Sequence, residues 1–160
     1  MIVNFADKTG EDVFDGVDSK AARQIPPLIW KIAARKLDML NAAHDLRDLK
    51  VPSANRVEAL KSQIIIKEYV MIPKNRKPTH PGEILLEEFL KPKGISQLEL
   101  GRGMSVPIQR VNTLINGKRD MTAETAILLS RVLKTSSEFW MNLQVALDLY
   151  EAQEHLEHAA

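Results

Sequence analysis

A chain of 160 residues, 44% hydrophobic and 27% charged, with a formal net charge of +1, has room for one ordinary domain or two small ones and enough apolar side chains for a core. With no cysteine it has neither disulfides nor thiolate metal sites, which fits a reducing cytoplasm. No apolar run is long enough to span a bilayer, and the opening MIVNFADKTGEDVFDG has no basic stretch leading into an apolar one, so neither a membrane nor an export signal is expected and a cytoplasmic protein is.

In chain order, residues 1–5 read as a short strand on Ile2, Val3 and Phe5, followed by a polar, turn-rich stretch through Ser19. Residues 26–43 read as a helix, with Leu28, Ile32, Leu37 and Leu40 inward and Lys31, Arg35 and Lys36 on the wet side. Residues 45–50 alternate charge with leucine, 51–55 form a loop by their turn residues, and 56–61 alternate polar and apolar as a second strand would. Residues 64–72 (IIIKEYVMI) are β-branched and strand-like, a hazard if left as an unpaired edge. Residues 73–81 (PKNRKPTHP), Pro-rich and basic, read as a linker and mark the best domain boundary.

Beyond that boundary GEILLEEFL is helical with Ile84, Leu85 and Phe89 inward, and residues 91–94 end it. Ser96 and Glu99 have the spacing of a capping box and open a further helix. Pro107 suits the first turn of the next one, where Val111, Leu114 and Ile115 make an apolar stripe and Gln109, Arg110, Asn112 and Thr113 a polar face. Gly117 stops that helix and Lys118 and Arg119 follow at once. Thr122 caps a helix through Leu133, with Ala126, Ile127, Leu129 and Leu133 as core candidates. Residues 135–138 (TSSE) read as another capping box before a last long helix bearing Trp140, Leu143, Leu147 and Tyr150; the polar tail beyond is expected to fray.

Two short helices at a steep angle, the second polar outward and followed by basic residues, are the pattern of a DNA-reading helix-turn-helix. The charge distribution agrees. Between Met71 and Arg119 there are nine Lys/Arg against four Asp/Glu, whereas from Asp120 onward there are two against seven. A polar helix face alone is as easily a solvated one; its coincidence with the basic segment favours phosphate contact.

HPGEILLEEFL, SQLEL, VPIQRVNTLINGKRDMTAETAILLS and TSSEFWMNLQ together resemble the HigA (VapI-like) antitoxins, from about Met71, where such antitoxins usually start, to Tyr150. The strand at Ile2, IPPLIWKIAARKLDMLNAA and VPSANRVEALK resemble the N-terminal half of HigB toxins, which are RelE-like messenger-RNA interferases. In that family the later strands and C-terminus carry the catalytic residues, and nothing after Lys61 resembles them, so the resemblance implies a truncated toxin fused to an intact antitoxin and argues against enzyme activity. The implied fold is mainly α. A C-terminal five-helix lambda-repressor-like DNA-binding domain (81–160) follows a small α+β fragment (1–63) and a strand-like segment with the basic linker (64–80). Two positions depart from the antitoxin pattern: Gly101 stands where the family favours Ala, and Ser105 where it favours Gly at the turn.

The expected partner is double-stranded operator DNA. Gln109, Arg110 and Thr113 are assigned to base edges, since Gln pairs with adenine, Arg with guanine and Thr touches a thymine methyl. Gln97, Lys118 and Arg119 are assigned to phosphates, and Pro107 and Asn116 are counted with them as DNA-binding. The resemblance implies a homodimer through Trp140, Leu143, Leu147 and Tyr150, which would set two recognition helices one DNA turn apart; the stripe read by itself is core. A HigB-like toxin is a possible partner, which makes a toxin-neutralising module the alternative function. His80 with Glu83, or Glu154 with His155 and His158, are too few for a metal site, and no cofactor motif or catalytic constellation stands out.

Overall fold

In the computed structural model, which describes residues 2, 4–50 and 71–159, the helices gather around a fully buried Trp140. Helix α1 (Lys8–Asp15), two 3-10 turns (Ala22–Gln24 and Pro27–Ile29), α2 (Trp30–Ala42) and α3 (Leu46–Lys50) come before residue 51. Helix α4 opens as Pro81–Ile84, winds as a π-helix over Leu85–Leu90 and closes as Lys91–Lys93. The wider winding has a local cause. Pro92 has no N–H, and its ring crowds the carbonyl four residues back. Just before it, the Lys91 N–H reaches Leu86, five residues back, instead. Then follow α5 (Gln97–Met104), α6 (Ile108–Ile115), α7 (Ala123–Leu133) and α8 (Ser137–His158). No strand occurs among the described residues, and the fold is mainly α.

One core joins the two halves. Phe89, Phe139 and Trp140 pack with ring centroids 4.9–6.0 Å apart, each pair adding about 0.5–1.5 kcal/mol beyond its burial. Around them lie Ile84, Leu85, Leu100, Val111, Leu114, Leu129 and Leu143, and with them Met39 and Ala42 of α2, which packs along α8. The Asn142 amide donates to the Ala42 carbonyl (3.0 Å), and Asp48, fully buried, accepts from the Ser136 N–H (2.6 Å) and hydroxyl (2.8 Å) at the start of α8. Residues 71–80 are irregular, as the Pro-rich reading expects, yet pinned along their length. Asn41 pairs with Met71 through both its amide atoms, the Asn75 N–H meets the Asp15 carbonyl (2.8 Å), and Arg76 reaches the Phe14 carbonyl (2.6 Å) and Asp38 (2.7 Å).

Several sequence expectations are corrected. Ile2, Asn4 and Phe5 lie in no strand; the Phe5 ring packs on Phe14 instead, at 5.4 Å. The stretch up to Ser19 contains α1, capped by Asp7 and closed by Gly16 at φ +75°, with Val13 and Phe14 inward. The 26–43 helix forms, but it faces the other way. Leu28, Ile32 and Leu40 are 90%, 47% and 44% exposed, whereas Asp38, Met39, Asn41 and Ala42 are buried and Arg35 nearly so. Bonded polar groups hold that face: Asp38 takes Arg76 and Thr79, and Arg35 takes Glu83 and Glu88. In α7, Ile127 is exposed while Ala126, Leu129 and Leu133 are buried. The cap of α8 is Ser136, one residue later than the TSSE pattern suggests, because the Thr135 hydroxyl accepts the Trp140 indole N–H (2.8 Å). Helix α8 also continues through the polar tail to His158. The loop at 51–55, the strand at 56–61 and most of the strand-like 64–72 fall outside the described residues; Met71 and Ile72 are not strand.

Candidate nucleic-acid interface

The reading unit is built from its caps inward. The Ser96 hydroxyl accepts from the Glu99 N–H (3.2 Å) while the Glu99 carboxylate accepts from the Ser96 N–H (2.7 Å), so the capping box opens α5. Those bonds hold the Glu99 carboxyl below its ordinary pKa, the Ser96 N–H contributing most. The turn into α6 is tight. Ser105 adopts φ +56°, and the Val106 N–H reaches the Gly101 carbonyl (2.9 Å). A Cβ on Gly101 would stand 3.1 Å from the Val106 carbonyl oxygen, a tight contact to which the turn would have to yield by a few tenths of an ångström. Pro107 precedes α6 as its N-cap residue, and no side chain caps the helix. In its first turn the Arg110 N–H bonds back to the Pro107 carbonyl (3.0 Å).

Val111, Leu114 and Ile115 anchor α6 in the core. Its far end closes on Gly117 at φ +65°, with the Lys118 N–H bonded to the Thr113 carbonyl (2.9 Å). Gln109, Asn112, Asn116, Lys118 and Arg119 are exposed on the opposite face, and Arg102 on α5 adds a third exposed cation.

The structure sorts the expected contact residues. Gln109, Asn116, Lys118 and Arg119 share the open surface with Pro107. Gln97 is bridged to that surface by the Asn112 amide, which donates to its side-chain oxygen (3.1 Å). Asn112, named only as part of the polar face in the sequence, therefore locks α5 to α6 through an exposed contact that spacing alone could not reveal. The Thr113 hydroxyl is turned back onto its own helix, donating to the Gln109 carbonyl (2.9 Å). Arg110 points away from the open face. Its guanidinium donates to Glu124 (2.8 Å) and to the Thr125 hydroxyl (2.9 Å) at the start of α7, and its Nε is buried without an acceptor. Arg110 in turn holds the Glu124 carboxyl below its usual pKa through that hydrogen bond.

The His-Pro-Gly-Glu opening of α4 serves the same unit. The His80 Nδ1 accepts from the Gly82 N–H (2.9 Å) and caps α4, while its ring lies 3.9 Å from where a Cβ on Gly117 would be. A Cβ on Gly82 would come within 1.8 Å of the Leu114 carbonyl oxygen, so α4 and the end of α6 meet backbone to backbone. Burial pushes the His80 pKa down. No cluster of three potential metal ligands occurs among the described residues.

The stripe expected to hold a second copy is used inside the chain. Trp140, Leu143 and Leu147 are buried, and only Tyr150 keeps part of its surface. Trp140 packs on Phe89 and Phe139, and α2 covers the flank of α8 at Asn142. The apolar side chains that α8 leaves exposed are Val145, Leu149 and Leu156.

Residues 3–77 match the family described as RelE-like toxin of the type II toxin–antitoxin system HigB, and residues 86–140 match the helix-turn-helix family. The helix-turn-helix transcriptional regulator YbaQ of Escherichia coli K12 is 43% identical over 81 residues, which cover 51% of this chain and 72% of that protein. Antitoxin HigA-1 of Vibrio cholerae serotype O1 is 40% identical over 85 residues, covering 53% of this chain and 80% of that protein. The solved structure of the antitoxin GraA is similar at a TM-score of 0.50 and 42% identity, over 52% of this chain and 91% of that one.

Proposed function

Because the chain belongs to the HigA-type family of helix-turn-helix antitoxin regulators, we propose that it is a transcriptional repressor that binds operator DNA through α5 and α6. The observation that carries this reading is the surface of α6. Its apolar stripe is spent in the core, while Gln109 is exposed near a helix start that no side chain caps, and Lys118 and Arg119 are exposed beyond the helix end, where the Asn116 amide donates to the Asn112 carbonyl (2.8 Å). Gln109 reads a base edge and Asn112 braces Gln97 near the backbone. Lys118 and Arg119 neutralise phosphates, which makes affinity steeply salt-dependent. Thr113 offers its methyl to the groove, its hydroxyl being occupied. Arg110 reaches a guanine only by leaving Glu124 and Thr125, and otherwise positions α6 against α7.

Two copies on a palindromic site complete the reading, working in the cytoplasm on the nucleoid. With Trp140, Leu143 and Leu147 buried, of the four residues expected at that interface only Tyr150 keeps surface for a second copy. The relatives are regulators and antitoxins, and the reading contains no catalytic step. The test is a gel shift on the DNA upstream of the gene. Gln109→Ala should cost about 1–3 kcal/mol and relax preference at one base pair, while Lys118→Ala should weaken all sequences alike and lower the salt slope by about 0.9. Unchanged binding in both variants would overturn the reading.

A further inference from the structure

The flank of the reading domain between α4 and α8 is built for a helix of definite chemistry. Glu88 is 4% exposed, and its two carboxylate oxygens are taken by α2, one by Arg35 Nε (3.0 Å) and the other by Lys36 Nζ. Glu83 takes Lys31 (3.1 Å) and the other side of Arg35 (3.3 Å). Glu83 and Glu88 are five residues apart, and the π-helical winding, with its five-residue bonds, brings both to one guanidinium. Further along, Met39 and Ala42 enter the core, Asn142 ties the end of α2, and Ser136 is held by Asp48. An acidic pair, an apolar floor and two polar ties are a helix-in-groove site. The helix in it belongs to residues 3–77, which match the HigB-like toxin family. The exposed side of α6 lies elsewhere: the bonds described for its polar side chains stay within residues 97–125.

We propose that the α4–α8 flank is a recognition surface for a HigB-like toxin, occupied in cis by the chain's own toxin-like half, so that a separate toxin is refused. The proposal rests on family membership and not on the DNA reading. A tethered occupant has an effective concentration on the order of millimolar, so a separate toxin at micromolar concentration is disfavoured about 10³-fold.

The experiment uses the full chain and a separately purified HigB-like toxin, with toxin capture measured by titration and operator binding measured on the same samples. Arg35→Glu with Lys36→Glu should open the flank and raise toxin affinity by at least 100-fold while the gel shift persists. Ala42→Cys with Asn142→Cys in that background should close it again on oxidation, since the chain has no other cysteine. If the charge reversal abolishes the gel shift, Asp48→Ala with Ala42→Asp, both within the toxin-like half, loosens the same flank and is read in its place. Equal toxin affinity in the parent and the opened chain overturns the proposal, and so does an opened chain that holds its operator and takes no toxin. Loss of operator preference with toxin capture intact would instead count against the DNA reading alone.

Discussion

Replacing Glu88 by Ala tests how the two halves are joined. The Glu88 side chain is 5% exposed and one of its two partners, Arg35, is 11% exposed, at 3.0 Å. Removing one member of such a pair costs about 3–5 kcal/mol, because the other charge stays buried. Arg35 keeps Glu83, itself 32% exposed and 3.3 Å away, so the lower end, about 3 kcal/mol, is expected. Glu87→Ala is the control. It breaks the Lys91–Glu87 pair, whose side chains are 59% and 27% exposed, and should cost about 0.3–0.5 kcal/mol. Arg35→Ala combined with Glu88→Ala should cost less than the sum of the two, by about 0.5–3 kcal/mol. Urea unfolding followed by fluorescence suits the assay, since Trp30 lies in α2 and Trp140 in the shared core. Single-tryptophan variants made by Trp30→Phe and Trp140→Phe should report coincident transitions. A Glu88→Ala chain within 0.5 kcal/mol of the parent, or separate transitions for the two tryptophans, would refute the joined core.

Three further predictions concern the reading unit. Glu124→Ala frees Arg110; if Arg110 then reaches a base, operator affinity rises several-fold while Arg110→Ala lowers it, whereas equal losses in both variants would make Arg110 a positioning residue only. His80 has a folded pKa below its ordinary value of about 6.5, so the folded state binds fewer protons than the unfolded one, and the stability it contributes is present above pH 6.5 and lost as pH falls below it. His80→Asn, which keeps a capping acceptor without titrating there, should flatten that part of a stability–pH profile; an unaltered slope would remove His80 as the cause. Ser105→Gly should raise stability by about 0.5–1 kcal/mol, because a left-handed residue with a Cβ costs about 1–2 kcal/mol and glycine returns part of that as chain entropy. A thermal melt that falls instead would mean that the turn is not strained.

The reading unit was legible because its signals are local. Ser96 with Glu99, the stripe of Val111, Leu114 and Ile115, and Gly117 each act within one helical turn. The hold on Arg110 was not legible for the opposite reason: Glu124 and Thr125, which bind it, lie on another helix, and nothing in the spacing of α6 points to them. Helix α2 shows how periodicity can mislead. Its leucines and isoleucines mark one face, yet ion pairs to Glu83 and Glu88, about fifty residues away, bury the other. Trp140, Leu143 and Leu147, which the resemblance placed at an interface, are likewise buried within the chain, Trp140 against Phe89 from a distant helix. Helix α1 was missed because Asp7, its cap, reads as a turn residue together with Thr9 and Gly10 of the first turn.

The contact of Gly82 with the Leu114 carbonyl has a consequence for how this protein can change. Two main chains in contact leave no side chain whose size or rotamer could alter the gap, so the tilt of α6 is gauged by invariant atoms. Core residues around Trp140 can be exchanged for others of similar bulk while that gauge holds its setting. Mutational drift in the interior is thereby insulated from the angle at which the outer face of α6 is presented, and only position 82 itself has no room to vary.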